Sequence, residues 1–260
     1  MPMNDITSYT KQNSRAWDEI AHIREKKFPP AEHFLQGNCT LPQNIREAAG
    51  PVQDKSLLHL QCASGTGTLS WSVLGAHAIG VDISPKQIAI AQQKAQDAGL
   101  STSFIAADVY ALPNDLQNET FDVVFTGGGA LVWLPDIEKW AQIVVAALKP
   151  GGRLILEEEH PVAQVLWAEE GMIKMDSDYF GRHEAEEHRG WSHFKGGEEA
   201  QETKYEFSWP LGDIITGLAR AGMRIESLEE GPSQAEYRFG AQLTQVARLP
   251  GEYLLIARKG

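Results

Sequence analysis

At 260 residues with 42% hydrophobic content, the chain is long enough to bury a full core as one large domain or one domain with an insertion. A net charge of -12 argues against a nucleic-acid partner, whose phosphates are held by Lys and Arg displacing counterions, and favours a small-molecule ligand. No apolar run reaches the ~18 residues of a membrane span, Met1 through Arg15 is polar, and the two cysteines, Cys39 and Cys62, suit a reducing cytoplasm.

In chain order, residues 1–50 carry helical stretches with aromatic points at Tyr9, Trp17, Phe28 and Phe34, expected as a cap over the carboxyl edge of a sheet. Residues 51–157 alternate short apolar runs with helical patterns. Strands are predicted at 57–61, 78–82, 103–107, 121–125 and 153–157, with Lys149-Pro150-Gly151-Gly152 as the turn before the fifth. Ser84 before Pro85 reads as an N-cap with proline at the first helical position, and Ile88, Ala91, Ala95 and Ala98 form the buried stripe of that helix. Repeated strand–helix–strand units require right-handed crossovers, giving a doubly wound α/β fold with a mostly parallel sheet. Residues 158–208, holding His160, His183, His188 and His193, have weak periodicity and read as an inserted lid. Residues 209–260 return to order as an amphipathic helix and a pair of strands.

The candidate site begins at the turn Gln61-Cys62-Ala63-Ser64-Gly65-Thr66-Gly67. Glycines between a buried strand and a helix let backbone N–H groups approach a ligand, and the helix adds the positive end of its dipole. Asp82 ends the second strand, where a carboxylate accepts from both ribose hydroxyls. Asp108, after the third strand, is placed to accept from an adenine amine or to cap the turn that succeeds it.

The ordered series His59–Gly67, Gly80–Ser84, Ala107–Val109, Phe121–Val124 and Leu148–Gly152 resembles class I S-adenosylmethionine-dependent methyltransferases of the bacterial small-molecule, ubiquinone-biosynthesis-like group. The resemblance implies a Rossmann-like seven-stranded sheet whose last strand is antiparallel, S-adenosylmethionine as cofactor, and methyl transfer to a small organic acceptor. It implies that Gln61, Ala63 and Gly65 face the methionine moiety, that Asp82 holds the ribose, and that Ile83 packs on the adenine. Ala107, Asp108 and Val109 would surround the adenine edge, Tyr9 and Trp17 would close over the cofactor, and Gln87 and Thr126 complete the expected contacts.

His59, Gln61 and Ala63 stand where that family carries an acid and two glycines. Alanine disfavours positive φ, so the turn is expected to hold Ala63 at negative φ or to shift. The Gln61 amide is placed to bond the cofactor's amino-acid end. A sulfonium donor is already activated, so a base is optional; His160 is the candidate, with strand termination as its ordinary role. His183, His188 and His193 advance by about 140° per step on a helix, so they share no face and no metal is expected. They read as a solvated segment, with Trp191 and Phe194 placed to drape over a substrate. Two alternatives stay open: an NAD-dependent dehydrogenase, disfavoured by Ser70 at the third glycine position of that fingerprint, and a non-catalytic S-adenosylmethionine-binding protein.

Overall fold

A computed structural model describes residues 3–260. Three helices come first: α1 (Met3–Glu25), α2 (Ala31–Leu35) and α3 (Gln43–Ala49). Strands and helices then alternate as β1 (Ser56–Leu60), α4 (Thr66–Val73), β2 (His77–Asp82), α5 (Pro85–Asp97), β3 (Ser103–Ala106), β4 (Phe121–Gly127), α6 (Ile137–Ala147) and β5 (Leu148–Glu159). Beyond β5 lie α7 (Pro161–Gln164) and two antiparallel hairpins. The first joins β6 (Leu166–Glu169) to β7 (Met172–Met175), and the second joins β8 (Glu186–His188) to β9 (Lys204–Glu206). The chain closes with α8 (Leu211–Arg220), β10 (Met223–Gly231), the single-turn helices α9 (Glu236–Phe239) and α10 (Leu243–Val246), and β11 (Glu252–Lys259).

The main sheet has seven strands in the order β3-β2-β1-β4-β5-β11-β10. The first five are parallel, and β11 runs antiparallel to both its neighbours, as the family resemblance implies. Leu57, Leu58 and Leu60 of β1 are fully buried because helices cover both faces, which explains why apolar residues fall on both faces of the strand. Strand order reverses between β1 and β4, and a doubly wound sheet opens its ligand crevice there, beyond the carboxyl ends.

Local chemistry fixes the helix beside that crevice. The Ser84 hydroxyl accepts from the Gln87 N–H, Pro85 occupies the first turn, and Ile88, Ala91, Ala95 and Ala98 are buried. On α1, the stripe Ile6, Thr10, Asn13, Ala16, Ile20 is buried at helical spacing. Asn13 bonds the backbone of Tyr205 in both directions, at 2.8 and 2.7 Å, which ties α1 to β9.

Two segments depart from the sequence reading. Lys149–Gly152 is part of β5: Leu148 already pairs with Phe121, the register slips before Val123, and Lys149 anchors the irregularity through Asp122 at 2.9 Å. The turn α9–α10 lies between the last two strands, where the sequence predicts only a strand pair. It packs Phe239 and Val246 against Ala163 of α7.

Candidate functional site

The loop after β1 is built against its residues' preferences. Gln61, Ala63 and Gly65 all have positive φ, at 51°, 48° and 77°. Of the two expected outcomes, a negative φ at Ala63 does not occur, and the reason is a bond across the crevice. The Ala63 N–H donates to Asp82 Oδ2 at 2.8 Å, which offsets a left-handed conformation costing about 1–2 kcal/mol. Asp82 Oδ1 accepts from the Ser84 N–H at 2.9 Å, so both oxygens are fixed by backbone. Burial pushes the Asp82 pKa up, against those two hydrogen bonds and the nearby Arg24 guanidinium.

A cavity of about 390 Å³ opens above this arrangement. Gln61, Ala63, Asp82, Ile83, Ala107, Asp108 and Val109 line it, and Trp17 contributes to its wall from α1. The Gln61 amide is buried, and neither its oxygen nor its nitrogen has a partner among the described residues. Such an orphaned amide normally costs about 1–3 kcal/mol and marks a place where a ligand completes the bonding. Asp108 caps the turn, accepting from the Tyr110 N–H at 2.9 Å, and it also lines the cavity.

Five expected contacts lie elsewhere. Gly65 caps α4, and its Cα faces the core, where a Cβ would come within 2.6 Å of the Phe104 ring. Tyr9 is one residue out of phase with the Thr10, Asn13, Trp17 stripe; its ring packs edge-on against Tyr205 and Phe207 at 4.9 and 5.4 Å. Thr126 is fully buried on the opposite face of β4 from Phe125 and Gly127, which do line the cavity. Gln87 is fully buried beneath the first turn of α5. His160 shares the face of Glu158, whereas Glu157 and Glu159 point to the ligand side. Its Nδ1 accepts from the Val162 N–H at 3.1 Å, capping α7, and its Nε2 lies 2.9 Å from Glu230. The helix-starting role accounts for it, and a base at His160 does not reach the cavity.

Other groups take part that the motifs did not reveal. Arg24, seven residues after Trp17 and so on the same helical stripe, lines the cavity, donates to Ser64 Oγ at 3.2 Å, and stacks 4.2 Å from the Phe28 ring. His59 is buried with Nδ1 2.8 Å from Thr68 Oγ1, and burial lowers its pKa to about 3, so it stands neutral in the family's acid position. Glu157 reaches the rim beside Gly128, whose N–H it holds at 3.1 Å, and burial raises its pKa. Glu158 carries the same loop, accepting from Ala130 and Leu131 N–H at 2.7 and 3.3 Å.

Residues 58–152 match the methyltransferase domain family. Over 106 residues the chain is 37% identical to the demethylmenaquinone methyltransferase of Thermus thermophilus, covering 39% of this chain and 47% of that protein. It is 32% identical to the ubiquinone biosynthesis O-methyltransferase of Bordetella bronchiseptica, with 57% of each covered. The chain thus spans about half the length of the curated relatives it matches. Among solved structures, an S-adenosylmethionine-dependent methyltransferase from Mesorhizobium loti superposes with a TM-score of 0.62 at 24% identity, over 83% of this chain and 96% of that one. The cyclase SpnF superposes at 0.65 with 17% identity over 96% of both chains, a likeness of fold. Sheet order, motif order and the matched segment define the fold of class I methyltransferases. Residues 58–152 lie within that fold and are the part of the chain that matches the methyltransferase domain model.

Proposed function

We propose that the protein transfers a methyl group from S-adenosylmethionine to a small organic acceptor. The observation that carries this reading is the Asp82 carboxylate, clamped by two backbone N–H groups at the rim of the cavity. Its remaining lone pairs suit two ribose hydroxyls. Ile83 and Val109 offer apolar contact to the adenine faces, and Asp108 an acceptor for its amine. The unpartnered Gln61 amide and the Arg24 guanidinium suit the amino and carboxylate groups of the methionine end.

When bound, the sulfonium supplies a methyl group already activated for displacement, so the protein's part is to orient the acceptor and exclude water. Trp17, Trp133 and Trp191, with ring centres 4.5–5.4 Å apart, form an aromatic wall suited to both tasks. The curated relatives act in menaquinone and ubiquinone biosynthesis, which makes ring-bearing precursors the first acceptors to try.

The test is a screen of such acceptors with a donor labelled in its methyl carbon, read by mass analysis of the product. A labelled small molecule supports the reading. Tight NAD binding without methyl transfer would return the dehydrogenase alternative, and cofactor binding with no labelled product across the screen the non-catalytic one.

A further inference from the structure

A second cavity of about 750 Å³ adjoins the first and shares Trp17, Arg24, Phe28, Gly128, Gly129 and Trp133 with it. Apart from Val132, the rest of its wall comes from outside the matched segment, from residues 159–208 and from Tyr237 and Arg238 of α9. Trp191 is fully buried in this wall, and its indole N–H has no acceptor among the described residues.

His193 lines the same chamber. The sequence places it on a solvated surface, yet it is half-buried, with its ring 4.2 Å from Phe194 and 5.2 Å from Tyr237. Neither ring nitrogen bonds a protein group among the described residues. Its carbonyl accepts from Lys27, which fixes the backbone and leaves the ring free. Lys27, Lys204, paired with Glu206 at 2.9 Å and 4.3 Å over the Trp191 ring, and Arg238, 3.2 Å from Glu159, are the charged groups around it. Burial first, then Lys204 and Lys27, lower its pKa to about 4, with Glu206 opposing. The imidazole is therefore neutral, an acceptor without a donor.

We propose that this chamber receives the methyl acceptor and that His193 takes the proton released by a neutral hydroxyl or amine acceptor, an assignment that rests on the methyl-transfer reading. The acceptor's lone pair forms the new bond to carbon as the C–S electron pair returns to sulfur; the acceptor's proton passes to the free ring nitrogen and then to water. A weak base suffices, because an oxygen or nitrogen gaining a methyl group becomes strongly acidic as it does so.

The test uses 4-nitrophenol and its methyl ether, 4-nitroanisole, as probes at about pH 6 with S-adenosylhomocysteine present, where this imidazole is neutral. Binding is read by quenching of the tryptophans that wall the chamber. Wild-type protein is expected to hold the phenol about tenfold more tightly than the ether, the scale of one hydrogen bond, and His193→Phe to bring the ratio to about one. Equal affinities in the wild type, a preference that survives in the variant, or no quenching by either probe overturns the proposal. Calorimetry run alongside reports S-adenosylhomocysteine binding itself, and its absence would bring down the methyl-transfer reading as well. Diethyl pyrocarbonate provides a test without mutation. At about pH 5, where an ordinary imidazole is protonated and slow, His193 is expected to be the histidine labelled fastest; an unlabelled His193 overturns the proposal.

Discussion

Asp82→Asn separates two roles that one carboxylate combines. The native side chain accepts at both oxygens, from Ala63 N–H at 2.8 Å and Ser84 N–H at 2.9 Å. An amide has a single accepting atom, so whichever way it turns, its NH₂ group confronts one of those donors. One backbone N–H is then left without a partner, at about 1–3 kcal/mol, which for a chain of this size lowers Tm by about 2–10 °C. Loss of a charged acceptor for the ribose hydroxyls should weaken S-adenosylhomocysteine by a further ~1.5–3 kcal/mol, or about 10–150-fold. Scanning calorimetry reads the first effect and titration calorimetry at a temperature where the variant is folded reads the second. A lower Tm with unchanged affinity would refute the ribose assignment and leave Asp82 as a clamp on the loop alone.

Gly65→Ala should destabilise by about 2–5 kcal/mol, combining the left-handed φ with overpacking against Phe104, and Phe104→Leu should recover part of the lost Tm. His59 has a folded pKa of about 3, below its unfolded value of about 6.5, so only the unfolded chain takes up its proton in that interval. Its contribution is complete above the upper value and falls away toward the lower one; from pH 7 to 5 the wild type should lose about 2 kcal/mol more than His59→Gln in denaturant titrations, and parallel curves would contradict this. Arg24→Met should weaken S-adenosylhomocysteine about tenfold yet spare methylthioadenosine, which has no carboxylate for the guanidinium to hold. Equal losses for both ligands would remove Arg24 from the methionine end.

The parts of this molecule legible in its sequence are those decided over short range. The leucine-rich β1, the Ser84-Pro85 start of α5 and the position of Asp82 at the end of β2 each come from a few adjacent residues. What stayed hidden depends on phase or on distant partners. A one-residue phase error on α1 exchanges Tyr9 for the cavity-lining Thr10, and on β5 period two turns His160 away while Glu157 and Glu159 face the ligand side. Ala63 adopts a left-handed φ because Asp82, on another strand, holds its N–H. The environment of His193 is set by Lys27, Lys204 and Tyr237, contributed by three separate stretches of chain, so its local spacing carried no signal.

The proposed site for a nucleoside whose sulfur-bearing tail reaches Gln61 and Arg24 is the cavity beyond the carboxyl ends of β1, β2 and β4. Titration of the purified protein with S-adenosylhomocysteine and, separately, with NAD tests that claim most directly. One-to-one binding of the former and none of the latter is the predicted result; the reverse preference, or heat from neither ligand, would contradict it.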